Sequence, residues 1–259
     1  MMWVFLFCLG LAVGSFLNVV VFRINTGETL RGRSRCLACL KKLDWSDLVP
    51  LFSFAIIRGR CRSCGSQVSI QYPIVEFLSG GVFVAAGRAF DPQTDIIAFA
   101  ATAVFFCTLL AISVYDIRHK IIPDQFAATL LVAALIFEFQ TLAPEFSFGA
   151  LVNDFYAALG AFGFFAIVWL VSRGTWMGFG DAKIAFSIGL FLGYPDVVFA
   201  LLASFWLGAL LGIGLLVSKK ASRRTEIPFA PFLAAGTFLI FLAASGDSIP
   251  WYYTFMALS

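Results

Sequence analysis

Four cysteines in two close pairs form the most specific chemical pattern of this sequence. Cys36 and Cys39 enclose two residues, 21 residues follow, and Cys61 and Cys64 enclose two more. A Cys-x-x-Cys pair can hold one ion with two thiolates, and a second pair completes a tetrahedral site. Because all four ligands are thiols, no position stays open for a catalytic water, so we expect structural zinc. Iron in a tetrahedral sulfur site is the alternative metal.

Two aspartates at the ends of apolar segments are the second group that could do chemistry. Asp116 follows the apolar run 96–115, and Asp181 precedes the run 182–195 in the segment Gly-Phe-Gly-Asp. Carboxylates near a membrane are costly unless they are paired or hydrated, so each is a candidate functional group. Two carboxylates within a few ångströms of each other share one proton, which is the chemistry of an aspartic protease.

Other interpretations of the acidic residues stay open at this level. The two aspartates could instead cap helix ends or pair with Arg118 or Lys183. Asp124 follows a proline at the start of the next apolar run, where an N-cap role is expected. Glu76, near one end of the second apolar run, could face a site or pair with loop arginines. Asp154 is expected in a connecting loop on the opposite side, without a role.

The composition places these groups in a membrane protein. The chain has 259 residues, of which 61% are hydrophobic and 13% are charged, and its mean hydropathy is +0.93. A soluble domain of this size cannot bury so much apolar surface. The net charge of +3 is too small to indicate nucleic acid binding. The single histidine, His119, excludes H-E-x-x-H metalloprotease and Ser-His-Asp hydrolase sites.

Eight apolar runs predict about eight transmembrane helices, since roughly 20 residues of helix cross the hydrocarbon core. The runs are 2–22, 73–89, 96–115, 122–139, 150–172, 182–195, 197–217 and 229–245. The sixth is short for a span. Removing it, however, would move the basic cluster in 219–224 to the other side of the membrane.

The distribution of basic residues predicts the orientation of these helices. With eight crossings, every lysine and arginine except Arg88 lies on the same side as the loop 23–71. The positive-inside rule makes that side the cytoplasm. The predicted fold is therefore an all-α polytopic membrane protein, with a cytoplasmic zinc-binding loop of four cysteines after the first helix.

Several motifs, in this order along the chain, resemble those of the bacterial type IV prepilin peptidases, which are membrane aspartic proteases with a G-x-G-D motif. The first is residues 10–23, at the end of the first apolar run. Both cysteine pairs follow, with Gly59 just before the second pair. The others are the segment 72–76, Asp116 with the segment 122–124, and the segment 178–183. The first cysteine pair departs from the family pattern, because Leu37 stands where proline is common. The substitution removes no metal ligand.

The resemblance implies what the chain does. Asp116 and Asp181 would be the catalytic pair, and they would cleave the basic leader of type IV prepilins, or of type II secretion pseudopilins, after a glycine. The site would face the cytoplasm at the bacterial inner membrane. The expected partners are these substrates and the lipid bilayer, with no nucleic acid.

The resemblance also implies a second activity and a division of the chain. Members with the cysteine loop N-methylate the new N-terminus with S-adenosylmethionine, and Gly59 and Glu76 are the nearby candidates for the methyl donor's site. The first helix would cover 1–22, the zinc-binding methyltransferase loop 23–71, and a seven-helix aspartic peptidase domain 72–259.

Three alternatives to this bifunctional enzyme fit the same residues. A transporter or channel would use the boundary aspartates as an ion path, although acids in the middle of spans, expected for ion relays, are scarce here. An assembly platform would use the cysteine loop to dock a cytoplasmic partner. A peptidase could also cleave without methylating.

Overall fold

A computed structural model describes residues 1–26, 32, 34–142, 148–219 and 227–245, and in these residues the chain is almost entirely helical. The helices are α1 (Met2–Arg23), α2 (Phe52–Ile56), α3 (Gln71–Ala89), α4 (Ile96–His119), α5 (Asp124–Leu142), α6 (Phe148–Ser172), α7 (Phe179–Leu192), α8 (Asp196–Val217) and α9 (Ala230–Ala244). A short 3-10 helix, Trp45–Asp47, precedes α2. Each predicted span overlaps one helix, so the all-α fold is confirmed.

Four of the described helices, α1, α4, α6 and α8, are long and apolar enough to cross a membrane. The apolar helix α9 is shorter, and α3, α5 and α7 are shorter or less apolar. The chain is therefore a multi-pass membrane protein. The predicted orientation rests partly on Lys220, Arg223 and Arg224, which lie outside the described residues.

The chain divides into two compact units, Met1–Gly87 and Arg88–Ser259. In the first unit, α1 packs closely against α3 because α1 has glycines at the contact. A Cβ added to Gly10 would lie only 2.6 Å from the carbonyl oxygen of Ser79, and one on Gly14 2.7 Å from the Cα of Glu76. Small residues at such contacts let helix backbones approach within a membrane.

Polar contacts hold the two ends of the long loop beside each other. Asn18, which is fully buried near the end of α1, donates from Nδ2 to the Tyr72 carbonyl at 3.3 Å. Gln71 Nε2 donates to Asn18 Oδ1 at 3.1 Å, and the rings of Phe22 and Tyr72 stack with centroids 5.4 Å apart. The loop with the cysteines therefore leaves and returns at one place.

The second unit is built around α4 and α7. Helix α4 packs against α5 and α9, α7 packs against α6 and α5, and α8 packs against α9. A Cβ on Gly189 of α7 would lie 2.6 Å from the Cα of Ala158 on α6, so this helix pair also meets at a glycine. Stacked and edge-on phenylalanine rings fill the space between α4, α7 and α9.

Two helix boundaries beside the aspartates differ from the apolar runs that predicted them. Helix α4 continues one turn beyond its apolar run and ends at His119, and the next residue, Lys120, has a left-handed φ of 53°. Helix α7 begins at Phe179, after Gly178. Hydrophobicity marks where a helix is apolar, whereas backbone hydrogen bonds decide where it ends. As a result Asp116 and Asp181 both lie inside helices, in an end turn of each.

Candidate functional site

Asp116 and Asp181 lie in the second unit, and the structure brings them together. Asp116 is in the last turn of α4 and Asp181 in the first turn of α7, and each is only 6% exposed. The charge of Asp116 acts directly on the carboxyl group of Asp181. The two acids therefore form one electrostatic site, although 65 residues separate them in the sequence.

The register of α4 against α7 explains why the aspartates meet. Phe105, eleven residues before Asp116, stacks on Phe191, ten residues after Asp181, with ring centroids 4.1 Å apart. At about 1.5 Å per residue, the stack lies roughly 16 Å from Asp116 along α4 and roughly 15 Å from Asp181 along α7. Because these lengths match and the helices run in opposite directions, fixing the rings together also fixes the carboxyls together.

Each carboxyl accepts a hydrogen bond from the backbone at the start of a helix. Asp116 Oδ2 accepts from the N–H of Ala230, the first residue of α9, at 3.2 Å. Asp181 accepts from the N–H of Gly178, the N-cap of its own helix. Helix N-termini carry free N–H groups and partial positive charge, and both features stabilise carboxylates.

The nearby ion pair belongs to another aspartate. Lys183 Nζ lies 2.6 Å from Asp124 Oδ1, and the Asp124 side chain is 82% exposed. The charge of Lys183 therefore compensates Asp124 rather than either buried aspartate. Asp124 lies at the start of α5, in keeping with the predicted place at a helix start, and its side chain is held by this ion pair.

The four cysteines of the loop converge on one point in the first unit. Their sulfur atoms all lie within 4.8 Å of one another, and the Sγ atoms of Cys36 and Cys64 are 3.9 Å apart. Thiolates bound to one zinc ion at about 2.3 Å in a tetrahedron are about 3.8 Å apart. The sulfur positions therefore fit a tetrahedral metal ion.

The two cysteine pairs have the same backbone fold, which explains how they converge. In each pair the N–H of the residue after the second cysteine, Leu40 or Gly65, bonds to the carbonyl of the first cysteine. Both residues have positive φ, at 60° and 69°. Backbone N–H groups of Cys39 and Ala38 lower the pKa of the Cys36 thiol to about 6, which favours the thiolate that binds metals.

Gly59 and Glu76, the two candidates for the methyl donor's site, have different surroundings. Gly59 has a φ of +65° and lines an open cavity of about 600 Å³ beside the second cysteine pair. Glu76 is 6% exposed, and its Oε2 accepts a hydrogen bond of 2.8 Å from the N–H of Leu51. Glu76 thus fastens the start of α2 to α3.

A second pair of acids was not predicted from the sequence. Glu138 on α5 is 6% exposed, and its carboxyl lies close to that of Asp154, which lies within α6 and is half-buried, not in a loop as expected. Asn153 Nδ2 also donates to Asp154 Oδ1 at 3.1 Å. The sequence could have indicated this pair, because Glu138 is an acidic residue inside an apolar run, where an acid needs a partner.

Comparison with known proteins gives a family for this arrangement. Residues 8–90 match the bacterial peptidase A24 N-terminal domain, and residues 103–213 match the type IV leader peptidase family. The chain is 34% identical to a prepilin leader peptidase/N-methyltransferase of Bacillus subtilis, over 98% of each protein. The chain belongs to the type IV leader peptidase family.

Other members of the type IV leader peptidase family are similar over nearly their whole length. Proteins named prepilin leader peptidase/N-methyltransferase from Xanthomonas campestris and Aeromonas hydrophila are 32% and 30% identical, with 96% and 97% of this chain covered. The alignments also cover 94% and 93% of those two proteins. No solved structure matches the chain. Between them the two family matches include all four loop cysteines and both Asp116 and Asp181.

Proposed function

We propose that this protein cleaves the leader peptide of type IV prepilins or pseudopilins and then N-methylates the new N-terminus. The observation that carries the proposal is the meeting of Asp116 and Asp181, two buried acids on antiparallel helices, with the charge of Asp116 acting on the carboxyl of Asp181. Membership of the leader peptidase family, and the names of relatives similar over almost all of the chain, support the same activities.

Asp116 and Asp181 would cleave the peptide bond by general acid–base catalysis. Two neighbouring carboxyls share one proton, so one is a base and the other an acid. The ionised aspartate takes a proton from water as the water oxygen bonds to the scissile carbonyl carbon. The protonated aspartate gives its proton to the carbonyl oxygen, which receives the electron pair of the broken π bond.

Collapse of the tetrahedral intermediate would return both aspartates to their first states. The aspartate that took the water's proton passes it to the leaving nitrogen, and the carbon–nitrogen bond breaks with its electrons moving to that nitrogen. The other aspartate takes a proton back from one hydroxyl as the carboxylic acid forms. The products are the leader with a new carboxyl terminus and the mature protein with a free amine.

We place the aspartate site at the cytoplasmic edge of the inner membrane. Basic residues are concentrated in the loop 23–71, as expected of a cytoplasmic segment. A prepilin is a membrane-held hydrophobic helix with a basic leader, so its scissile bond would reach acids in the end turns of membrane helices. This location also leaves the site open to the water that the reaction consumes.

The cysteine cluster would hold a structural zinc ion through Cys36, Cys39, Cys61 and Cys64. Zinc would cross-link the two loop segments through these thiolates, and four thiolate ligands would leave it no open position for chemistry. The 3.9 Å separation of two sulfurs supports this ligand set. Elemental analysis of the purified protein distinguishes zinc from iron, the alternative for a tetrahedral sulfur site.

The cavity beside Gly59 is our proposed site for S-adenosylmethionine. Its volume of about 600 Å³ is in the range of small-molecule sites. Arg58 and Arg60 line it and could bind the donor's carboxylate, and the ring of Phe54 could face its sulfonium. The bound donor would supply an electrophilic methyl group to the neutral N-terminal amine, with S-adenosylhomocysteine as the leaving group and one proton released from the methylated nitrogen to solvent. Glu76 would act indirectly, by holding Leu51 and the start of α2.

Mass spectrometry of the reaction products tests both activities together. Purified protein is incubated with a prepilin and S-adenosylmethionine, and both fragments are weighed. We expect cleavage after the leader glycine and one added methyl mass on the mature N-terminus. Cys36→Ser should lose metal and methylation, assayed on a precleaved pilin, while both aspartates remain in place. A wild-type protein that moves protons across a vesicle membrane and cleaves no prepilin would instead support a transporter.

A further inference from the structure

The start of α9 provides a contact to the aspartate site from a distant part of the sequence. The N–H of Ala230 donates to Asp116 Oδ2 at 3.2 Å, across 114 residues of chain. Ala230 is 1% exposed, so this hydrogen bond lies in the protein interior. Hydrogen bonds to charged groups are about twice as strong as those between neutral groups, so this hydrogen bond is a strong restraint on the Asp116 carboxylate.

The sequence at the start of α9 leaves this N–H available. The first N–H groups of a helix have no carbonyl one turn earlier to bond with. Pro231, the second residue of α9, has no N–H, and the N–H groups of Phe232 and Leu233 bond to the carbonyl of Phe229 at 3.0 and 3.2 Å. Within this first turn, the N–H of Ala230 is therefore the group that donates a hydrogen bond to Asp116.

Packing along α9 holds the donor in place. A Cβ added to Gly236 would lie 2.8 Å from the backbone nitrogen of Ser204 on α8, so the two helices touch at their backbones. On the side of α4, the ring of Phe106 meets Phe238 and Phe241 with centroids 5.2 and 4.9 Å apart. Sliding of α9 along α4 would break the ring contacts with Phe106, and sliding of α9 along α8 would break the backbone contact at Gly236.

We propose that the first N–H of α9, on Ala230, is a positioning group that orients the ionised carboxylate of Asp116 for proton transfer from the attacking water. The proposal rests on the function proposed above for the two aspartates. By holding Oδ2, the N–H fixes the plane of the carboxylate and leaves its other oxygen for the reaction. The partial positive charge of the α9 N-terminus favours the ionised form that the base needs. Ala230 itself touches no reacting atom.

Replacement of Ala230 by its α-hydroxy acid tests the proposal, because it changes the amide N–H into an ester oxygen with little change in shape. The matched control is the same replacement at Ala235, an exposed residue whose N–H is an ordinary helix donor. Both proteins are assayed for kcat and KM on a prepilin, and for thermal unfolding. Ala230→Gly, which keeps the N–H, is the conservative variant.

We expect the ester at position 230 to lower kcat about 10- to 100-fold, which corresponds to the loss of one hydrogen bond to a charged group. KM should stay unchanged, since the N–H does not contact substrate. The ester at 235 and Ala230→Gly should keep kcat within about threefold of the wild type. Equal losses of kcat at 230 and 235, or a wild-type kcat at 230, would overturn the proposal.

The outcome for Asp116 separates this proposal from the one on which it rests. If Asp116→Asn is inactive and the ester at 230 cleaves normally, the catalytic assignment holds and only the positioning role of α9 fails. If Asp116→Asn cleaves prepilin at the wild-type rate, the catalytic assignment itself fails.

Discussion

The two glycines of the segment Gly178-Phe179-Gly180-Asp181 should differ in their tolerance of a methyl group. A Cβ added to Gly180 would lie 2.8 Å from Cδ1 and 2.9 Å from Cβ of Ile122, whereas one added to Gly178 meets nothing closer than 3.9 Å. Carbon atoms contact best at about 3.5–4.0 Å. Gly180→Ala therefore needs a displacement of roughly 0.7–1 Å, and Gly178→Ala needs none.

The size of the effect follows from which atoms must move. The Cβ of Ile122 is bonded to the backbone and cannot rotate away, so either the connection after α4 or the first turn of α7 must shift. Overpacking of this kind costs about 1–3 kcal/mol of stability. A displacement of about 1 Å at reacting groups can lower a rate about 100-fold. Because Asp181 is the next residue, we expect Gly180→Ala to cleave about 10- to 100-fold more slowly, and Gly178→Ala to stay within about twofold of the wild type.

The assay compares kcat for prepilin cleavage and the thermal unfolding midpoint of both variants in the same detergent. Adding Ile122→Ala to Gly180→Ala removes the Cγ1 and Cδ1 contacts but keeps the Cβ contact, so it should restore part of the lost rate. Equal losses at the two glycines, or a larger loss at Gly178, would refute the steric reasoning.

Two further predictions concern the cysteine loop and the second acid pair. Leu40 and Gly65 occupy the same left-handed backbone position in the two cysteine pairs. A non-glycine residue in this conformation costs about 1–2 kcal/mol of stability. Leu40→Gly should therefore slow the release of metal to a chelator, and Gly65→Ala should speed it. The reverse order of release rates would contradict this. Glu138→Gln keeps a donor to Asp154 and should unfold near the wild-type temperature. Glu138→Ala removes this donor, although the hydrogen bond from Asn153 to Asp154 remains, and should unfold several degrees lower. Equal midpoints for the two variants would exclude a stabilising hydrogen bond.

Local spacing predicted the features that depend on local geometry. Two Cys-x-x-Cys pairs each fold into the same short turn, so their sulfur atoms needed only one closure of the loop to converge. Apolar runs predicted eight of the described helices, α1 and α3 to α9, because each forms its backbone hydrogen bonds within itself. Helix ends were less predictable: α4 ran past its apolar run, which placed Asp116 inside the helix.

Contacts between distant helices could not be derived from spacing. The meeting of Asp116 and Asp181 depends on the register that the rings of Phe105 and Phe191 impose, and 86 residues separate those rings in the sequence. Lys183 is only two residues from Asp181, yet positions two apart point to different sides of a helix, and Lys183 pairs with Asp124 on α5. Sequence proximity suggested the wrong partner for this lysine.

Prepilin cleavage by three single aspartate-to-asparagine variants tests the central claim most directly. Asp116→Asn and Asp181→Asn each remove one member of the buried pair, and Asp124→Asn makes the same change in an exposed ion pair. We expect the first two proteins to fold and to release no leader peptide, and the third to cleave close to the wild-type rate, since an exposed ion pair contributes only about 0–1 kcal/mol. Full cleavage by either Asp116→Asn or Asp181→Asn would contradict the account.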